Sequence, residues 1–182
     1  MVSSVGSDPG DLSPHLTPDD PRKVPDRRTG PHPARVPSET VPSIDEQPYT
    51  LVIPTRWKDN DVYGHVNNVV YYSFFDTVIN TFLIREGGLD IHGGPVIGLC
   101  VESHCRYDAP LAFPEPVTAG LAVTKLGRSS VTYAVTLFDG AGAPAAEGWF
   151  VHVFVDRETR RPAGVPDGIR AALERLLVGA PQ

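Results

Sequence analysis

From Val69 to about Glu86, apolar and aromatic residues recur at helical spacing around nearly the whole circumference of one segment. Val69, Tyr72, Phe75/Asp76, Ile79 and Phe82/Leu83 trace one stripe, and Val66, Val70, Phe74 and Val78 add others. A helix that is apolar on most sides must be covered on most sides. The apolar run Val69–Ile84 is interrupted by Asp76 and Asn80 and is too short for a bilayer span, so it reads as a buried helix. Gly87-Gly88 ends it. Beyond the helix the chain is β-rich. Val96–Tyr107 is a long strand candidate, and Pro110, Pro114 and Pro116 mark the loop after it. Val117–Lys125 and Ser130–Phe138 flank a break at Leu126–Ser129, and Asp139-Gly140-Ala141-Gly142 is a turn before Ala145–Asp156, dense in β formers. Tyr49–Thr55 precedes the helix as a strand, with Pro54 suggesting an edge or bulge. Pro166 opens a short final helix, about Asp167–Leu177. One long helix and about five antiparallel strands predict an α+β fold whose sheet wraps around the central helix.

The first 48 residues hold 10 of the 19 prolines and no aromatic residue. Such a segment cannot bury enough apolar surface to offset its ordering entropy, so residues 1–48 are expected to be a disordered tail and 49–178 the folded domain. A net charge of −6, with basic residues scattered singly or in pairs, argues against a nucleic-acid surface. The cysteines Cys100 and Cys105 stand five apart, which on a regular strand puts them on opposite faces and disfavours a bridge. With no cationic and apolar leader visible, a reduced cytoplasmic protein is expected, not associated with membrane.

The chemistry is concentrated in Arg56-Trp57-Lys58-Asp59-Asn60-Asp61-Val62-Tyr63-Gly64-His65-Val66-Asn67-Asn68. This stretch sets carboxylates immediately ahead of a helix N-terminus. Free N–H groups and the helix dipole there can polarise a carbonyl. A nucleophile or base facing an oxyanion site is what acyl-transfer hydrolysis requires.

At these residues the chain resembles the hotdog-fold acyl-CoA thioesterases of the 4-hydroxybenzoyl-CoA thioesterase-like group. The resemblance rests on Asp59-x-Asp61-x-x-Gly64-His65-Val66-Asn67-Asn68-x-x-Tyr71. Leu126-Gly127-Arg128-Ser129-Ser130-Val131 and Phe150-Val151-His152-Val153-Phe154-Val155-Asp156, followed by Arg160-Arg161-Pro162, support it. It covers roughly residues 49–178. It implies a hotdog fold, homodimers or homotetramers with active sites at the subunit interface, and an acyl-CoA substrate with no cofactor. It further implies Asp61 as nucleophile or general base and the backbone N–H of Asn68 as the donor to the thioester carbonyl. Asp76 stands where many members carry a glutamate on the helix. Coenzyme A phosphates are held in this group by basic residues whose positions vary.

Each of these residues also has a plainer reading. Asp61 could cap a turn. Asp59 could partner Arg56, or raise the pKa of a neighbouring carboxylate. His65 either fixes the loop to the helix or orients substrate. Asn67 and Asn68 are natural caps, which is compatible with a free N–H at the first turn. Gly64 is expected to adopt a geometry other residues avoid. Tyr71, Tyr72, Phe74 and Phe75 are core by spacing, with Tyr71 a candidate pocket wall. Arg128, Ser129 and Ser130 either cradle pantetheine or phosphate or simply end a hairpin. Arg157, Arg160 and Arg161 could meet a nucleotide phosphate. His65, His92, His104 and His152 lack metal-ligand spacing, so no metal is expected. Thioester hydrolysis is the leading reading. A non-catalytic acyl-CoA-binding module and an acyl-thioester hydratase or dehydratase are the rivals.

Overall fold

The computed structural model of the chain describes residues 42–179. Its elements are β1 (Tyr49–Ile53), α1 (Asn68–Arg85), β2 (Val96–Tyr107), β3 (Val117–Leu126), β4 (Ser130–Phe138), β5 (Pro144–Asp156) and α2 (Asp167–Glu174). The strands form one five-stranded antiparallel sheet in the order β1-β3-β4-β5-β2. This is the expected plan of one long helix, five strands and a short last helix. Pro54 directly follows the edge strand β1, where no further partner needs its missing N–H.

The helix packs across β3 and β1. Tyr71, Phe74, Phe75, Val78, Ile79, Phe82 and Leu83 are buried against Leu121, Val123, Val131, Tyr133, Val135 and Leu137 of the sheet. Gly148 on β5 permits this closeness, because a side chain there would run into the Phe75 ring and the His104 carbonyl of β2. The buried side chains Ile169, Ala172 and Leu173 of α2 join the same core. Pro166 serves as the cap residue of α2, just outside the helix and one position earlier than its first-turn assignment.

β2 is different. It is the other sheet edge, twelve residues long, and none of its residues is buried. The sheet therefore extends beyond the cover of α1 on this side, with Leu99, Val101 and Tyr107 exposed. A bulge between Cys100 and Glu102 changes the alternation of β2. Cys100 stands across from His152 and Cys105 across from Gly148, four residues apart on β5. The two cysteines thus share a face, contrary to simple parity, and both are free thiols.

Residues 1–41 of the expected tail lie outside the described residues. The segment just after them is folded. Ile44–Glu46 form a 3-10 turn in which the Glu46 carboxylate accepts from the Ser43 N–H and hydroxyl. The Gln47 side chain lies over Gly120 of β3, in space that a larger residue would fill. Residues 43–47 thus already take part in the described fold, ahead of β1.

Candidate active site

The loop between β1 and α1 is held shut by its own backbone. Asn60 and Val66 form an isolated antiparallel bridge, the Asp61 N–H donates to the His65 carbonyl (2.8 Å), and the Asn67 N–H donates to the Asp59 carbonyl (2.8 Å). Gly64 turns the loop at a φ of +83°, which L side chains avoid. The Asn60 carboxamide adds two ties, accepting from the Phe113 N–H at 3.0 Å and donating to the Gly64 carbonyl at 3.3 Å. Paired backbones lie about 5 Å apart, so this closure sets Asp61 beside the segment that starts α1.

At the helix start, Asn67 is the cap. Its side chain accepts from the Val69 N–H at 3.1 Å, and its carbonyl takes the Val70 N–H. The Asn68 N–H has no acceptor among the described residues. It is one of the orphan donors every helix presents at its N-terminus. The Tyr107 hydroxyl donates to the Asn68 carbonyl at 3.1 Å and pins the first turn. Burial pushes that phenol up to about 12, so it remains a donor at neutral pH.

Asp61 is partly exposed, and one of its carboxylate oxygens accepts from the Tyr63 N–H at 2.8 Å. The other oxygen has no partner among the described residues. Asp59, by contrast, is 1% exposed and fully engaged. Its carboxylate accepts from the Arg56 N–H (2.7 Å) and pairs with the Arg56 guanidinium (2.9 Å). Asp59 is therefore the fastener of the loop, the plainer of its two readings. The imidazole of His65 is exposed, while its carbonyl holds Asp61.

Other residues singled out in the sequence lie elsewhere. The Tyr71 side chain is buried, its hydroxyl accepts from the Leu111 N–H at 3.2 Å, and its ring meets Tyr107 edge-on. It braces the wall behind the helix start. Asp76 is exposed on α1, with its carboxylate accepting from the Asn80 side chain at 2.9 Å. Arg128, Ser129 and Ser130 are not beside Asp61. They sit at the end of the sheet where Ser130 pairs with Val153, whereas Tyr107, at the Asp61 end, pairs with Ala146. The carbonyls of this bend receive Arg170, Val165 and Phe154, which ties it to α2 and β5. Arg157 is committed to the carbonyls of Gly94, Asp90 and Ile91, leaving Arg160 and Arg161 as the exposed cations of that turn.

Among the described residues no group of acidic, histidine and cysteine side chains could hold a metal ion, and no helix is long and apolar enough to cross a membrane.

His152, weighed in the sequence only for metal-ligand spacing, has a distinct environment in the structure. It is buried on β5, and burial lowers its imidazole below the ordinary value near 6.5, with Asp76 partly opposing. The folded chain then takes up this proton less readily than the unfolded chain. Stability is therefore full above the ordinary value and falls as pH drops from there toward the lowered folded value. Melting temperature should decline as pH falls below the ordinary imidazole value near 6.5, and the decline should be shallower in His152→Leu. Identical slopes for the two proteins would contradict this.

The model of the thioesterase-like superfamily matches residues 55–173. No curated protein matches the chain. Among solved structures, the PA5185 protein of Pseudomonas aeruginosa strain PAO1 is 52% identical, covers 77% of this chain and 99% of its own, and superposes with a TM-score of 0.74. PA2801, a proposed thioesterase of the same species, is 31% identical over 70% of this chain and 98% of its own, with a TM-score of 0.66. A thioesterase of Thermus thermophilus, solved with coenzyme A and zinc, is 28% identical over 71% of this chain and 95% of its own, with a TM-score of 0.59. The matched span contains the closed Asp59–Asn68 loop, the central helix and the whole of β2 to β5, and on that ground the chain belongs to the thioesterase-like superfamily with the hotdog fold.

Proposed function

We propose that the protein is an acyl-CoA thioesterase, converting acyl-CoA and water to a carboxylic acid and coenzyme A. One observation carries the reading: an accessible carboxylate, Asp61, is held at the neck of a closed loop whose other side begins α1 with the unpaired Asn68 N–H. The carbonyl oxygen of the thioester accepts from that N–H, where the helix dipole favours the negative charge that develops. Asp61 either attacks the carbonyl carbon or takes a proton from the attacking water. The thiolate leaves as coenzyme A. Gly64 supports the loop, His65 and Asn67 hold it against the helix, and the exposed Asp76 lies further along the path of the acyl group.

The site is completed by a second copy. One chain separates the Asp61 loop from the Arg128-Ser129-Ser130 bend by the length of the sheet. If two copies pair antiparallel through β2, the Tyr107 end of one strand lies against the Val96 end of the other. The partner's bend is then carried toward the first chain's loop. A twelve-residue edge strand whose outer side has no partner among the described residues supports this assembly, since long exposed edges seek partners. We place the protein in the cytoplasm, in keeping with its two free thiols.

Incubation with a panel of acyl-CoA substrates and a thiol reagent tests the reading. Catalytic release of thiol from at least one substrate is expected. Tight binding with no release from any of them would favour a non-catalytic acyl-CoA-binding module instead.

A further inference from the structure

Tyr107 is the last residue of β2, and its hydroxyl donates to the Asn68 carbonyl of α1 at 3.1 Å. The two residues are 39 positions apart, so no local pattern in the sequence marks the contact. The backbone around Tyr107 is fastened to the sheet. Tyr107 stands across from Ala146 on β5, and the N–H groups of Asp108 and Ala109 both donate to the Ala145 carbonyl at 2.9 Å. The Tyr107 ring meets the buried Tyr71 ring edge-on, with centroids 4.9 Å apart. The helix does not need the phenol, because a first-turn carbonyl already accepts from the N–H four residues on. Burial does not demand it either. Tyr107 is 44% exposed, and water would serve its hydroxyl as well.

The effect of the bond is read at residue 68. The Asn68 N–H belongs to a peptide unit whose carbonyl, that of Asn67, accepts from the Val70 N–H at 2.8 Å. The next peptide unit carries the Asn68 carbonyl and the Val69 N–H. That N–H donates to the Asn67 carboxamide at 3.1 Å, and the carbonyl takes the Tyr107 hydroxyl. The peptide units on both sides of the Asn68 Cα are thus tied, while the Asn68 N–H itself has no acceptor among the described residues. Helix ends fray, and a first-turn N–H without an acceptor has no bond of its own to hold its direction. Its direction is set by the ties on its neighbours. The Tyr107 bond is the one of these ties that comes from the sheet; the others lie within the cap and the first turn.

We propose that Tyr107 is a positioning residue for hydrolysis: by holding the Asn68 carbonyl to the end of β2, it keeps the Asn68 N–H aimed at the thioester oxygen. This rests on the thioesterase reading above, in which that N–H meets the developing negative charge. Donors to an oxyanion contribute most when they are aimed beforehand and need no reorganisation as the charge forms. A misplacement of about 1 Å can cost roughly 10²-fold in rate. Tyr107 acts through the helix backbone and not on the reacting atoms. Its own place is set by a paired strand and by the Tyr71 ring, a firmer support than a loop provides.

The test is Tyr107→Phe in the full chain, which keeps the ring against Tyr71 and removes only the hydroxyl. On the best acyl-CoA, kcat and kcat/KM are expected to fall together by about tenfold, less than the roughly 10²–10³ lost when an oxyanion donor is deleted outright. KM should stay within about twofold, since ground-state binding does not depend on the aim of the N–H. A role confined to bracing the fold would lower the melting temperature and leave kcat intact, which would overturn the proposal. A loss confined to KM would overturn it as well. Amide nitrogen relaxation supplies a readout that needs no substrate. The order parameters of the Asn68 and Val69 N–H groups should lie near about 0.85 in the wild type and fall toward about 0.6 in Tyr107→Phe, with those of Val78 to Phe82 unchanged. Equal values at Asn68 and Val69 in the two proteins would overturn the proposal. Absence of turnover by the wild type on every acyl-CoA would instead overturn the thioesterase reading, and the order parameters would still decide whether Tyr107 holds the Asn68 N–H.

Discussion

Asp61→Asn is expected to lower kcat/KM on the best acyl-CoA by roughly 10²–10⁴-fold, the range lost with a positioned base or nucleophile. The substitution is nearly isosteric. The carboxamide oxygen can still accept from the Tyr63 N–H, and the backbone contacts to His65 and Gly64 do not involve the side chain. Loop, helix cap and melting temperature should therefore be unchanged, and the loss should fall on kcat. Substrate affinity should persist, because the Asn68 N–H and the apolar surroundings remain. A variant with wild-type turnover would remove Asp61 from the mechanism. A variant that fails to bind substrate would assign it to recognition.

Val101→Asp should have the second large effect. Val101 lies near the middle of β2 and is 61% exposed in a single chain. In a symmetric pairing through β2, residues near the middle of the strand face their own copies. Like charges placed opposite each other on paired strands repel, so the variant should sediment as a monomer. The fold of each chain should survive, since Val101 sits at the bulge and is not opposite a residue of β5. Turnover should nevertheless fall by roughly 10²-fold, the scale of loss expected when groups that position a substrate are displaced. A fully active monomer would show that one chain holds a complete site.

How much of this was legible in the sequence depends on the range of each signal. The all-round apolar pattern located α1 to within one residue at each end, and the cap at Asn67 agreed with it, because both depend on neighbours within one or two turns. β2 and β4 were bounded correctly for the same reason. Strand order was not legible. That β2 reaches across to β5 and becomes an edge depends on contacts between residues far apart in the chain. The bulge at Val101 carried no local mark, and the faces assigned to the cysteines were lost with it. For Asp59 the sequence offered two readings, a partner of Arg56 or a carboxylate that perturbs its neighbour, and its burial with Arg56, a property of the closed loop, decides for the first. The setting of His152 was partly legible. Strand geometry sets His152 on the same face as Phe150 and Phe154, which is legible without coordinates. Only its lack of any partner required coordinates.

Thioester hydrolysis is tested most directly by product analysis on the unmodified protein: acyl-CoA incubated in water enriched in heavy oxygen, with acid and thiol quantified together. Equal amounts of free coenzyme A and carboxylic acid are expected over many turnovers, with the heavy oxygen in the acid. Acyl-CoA recovered intact, or converted to an enoyl or hydroxyacyl thioester with no thiol released, would contradict it.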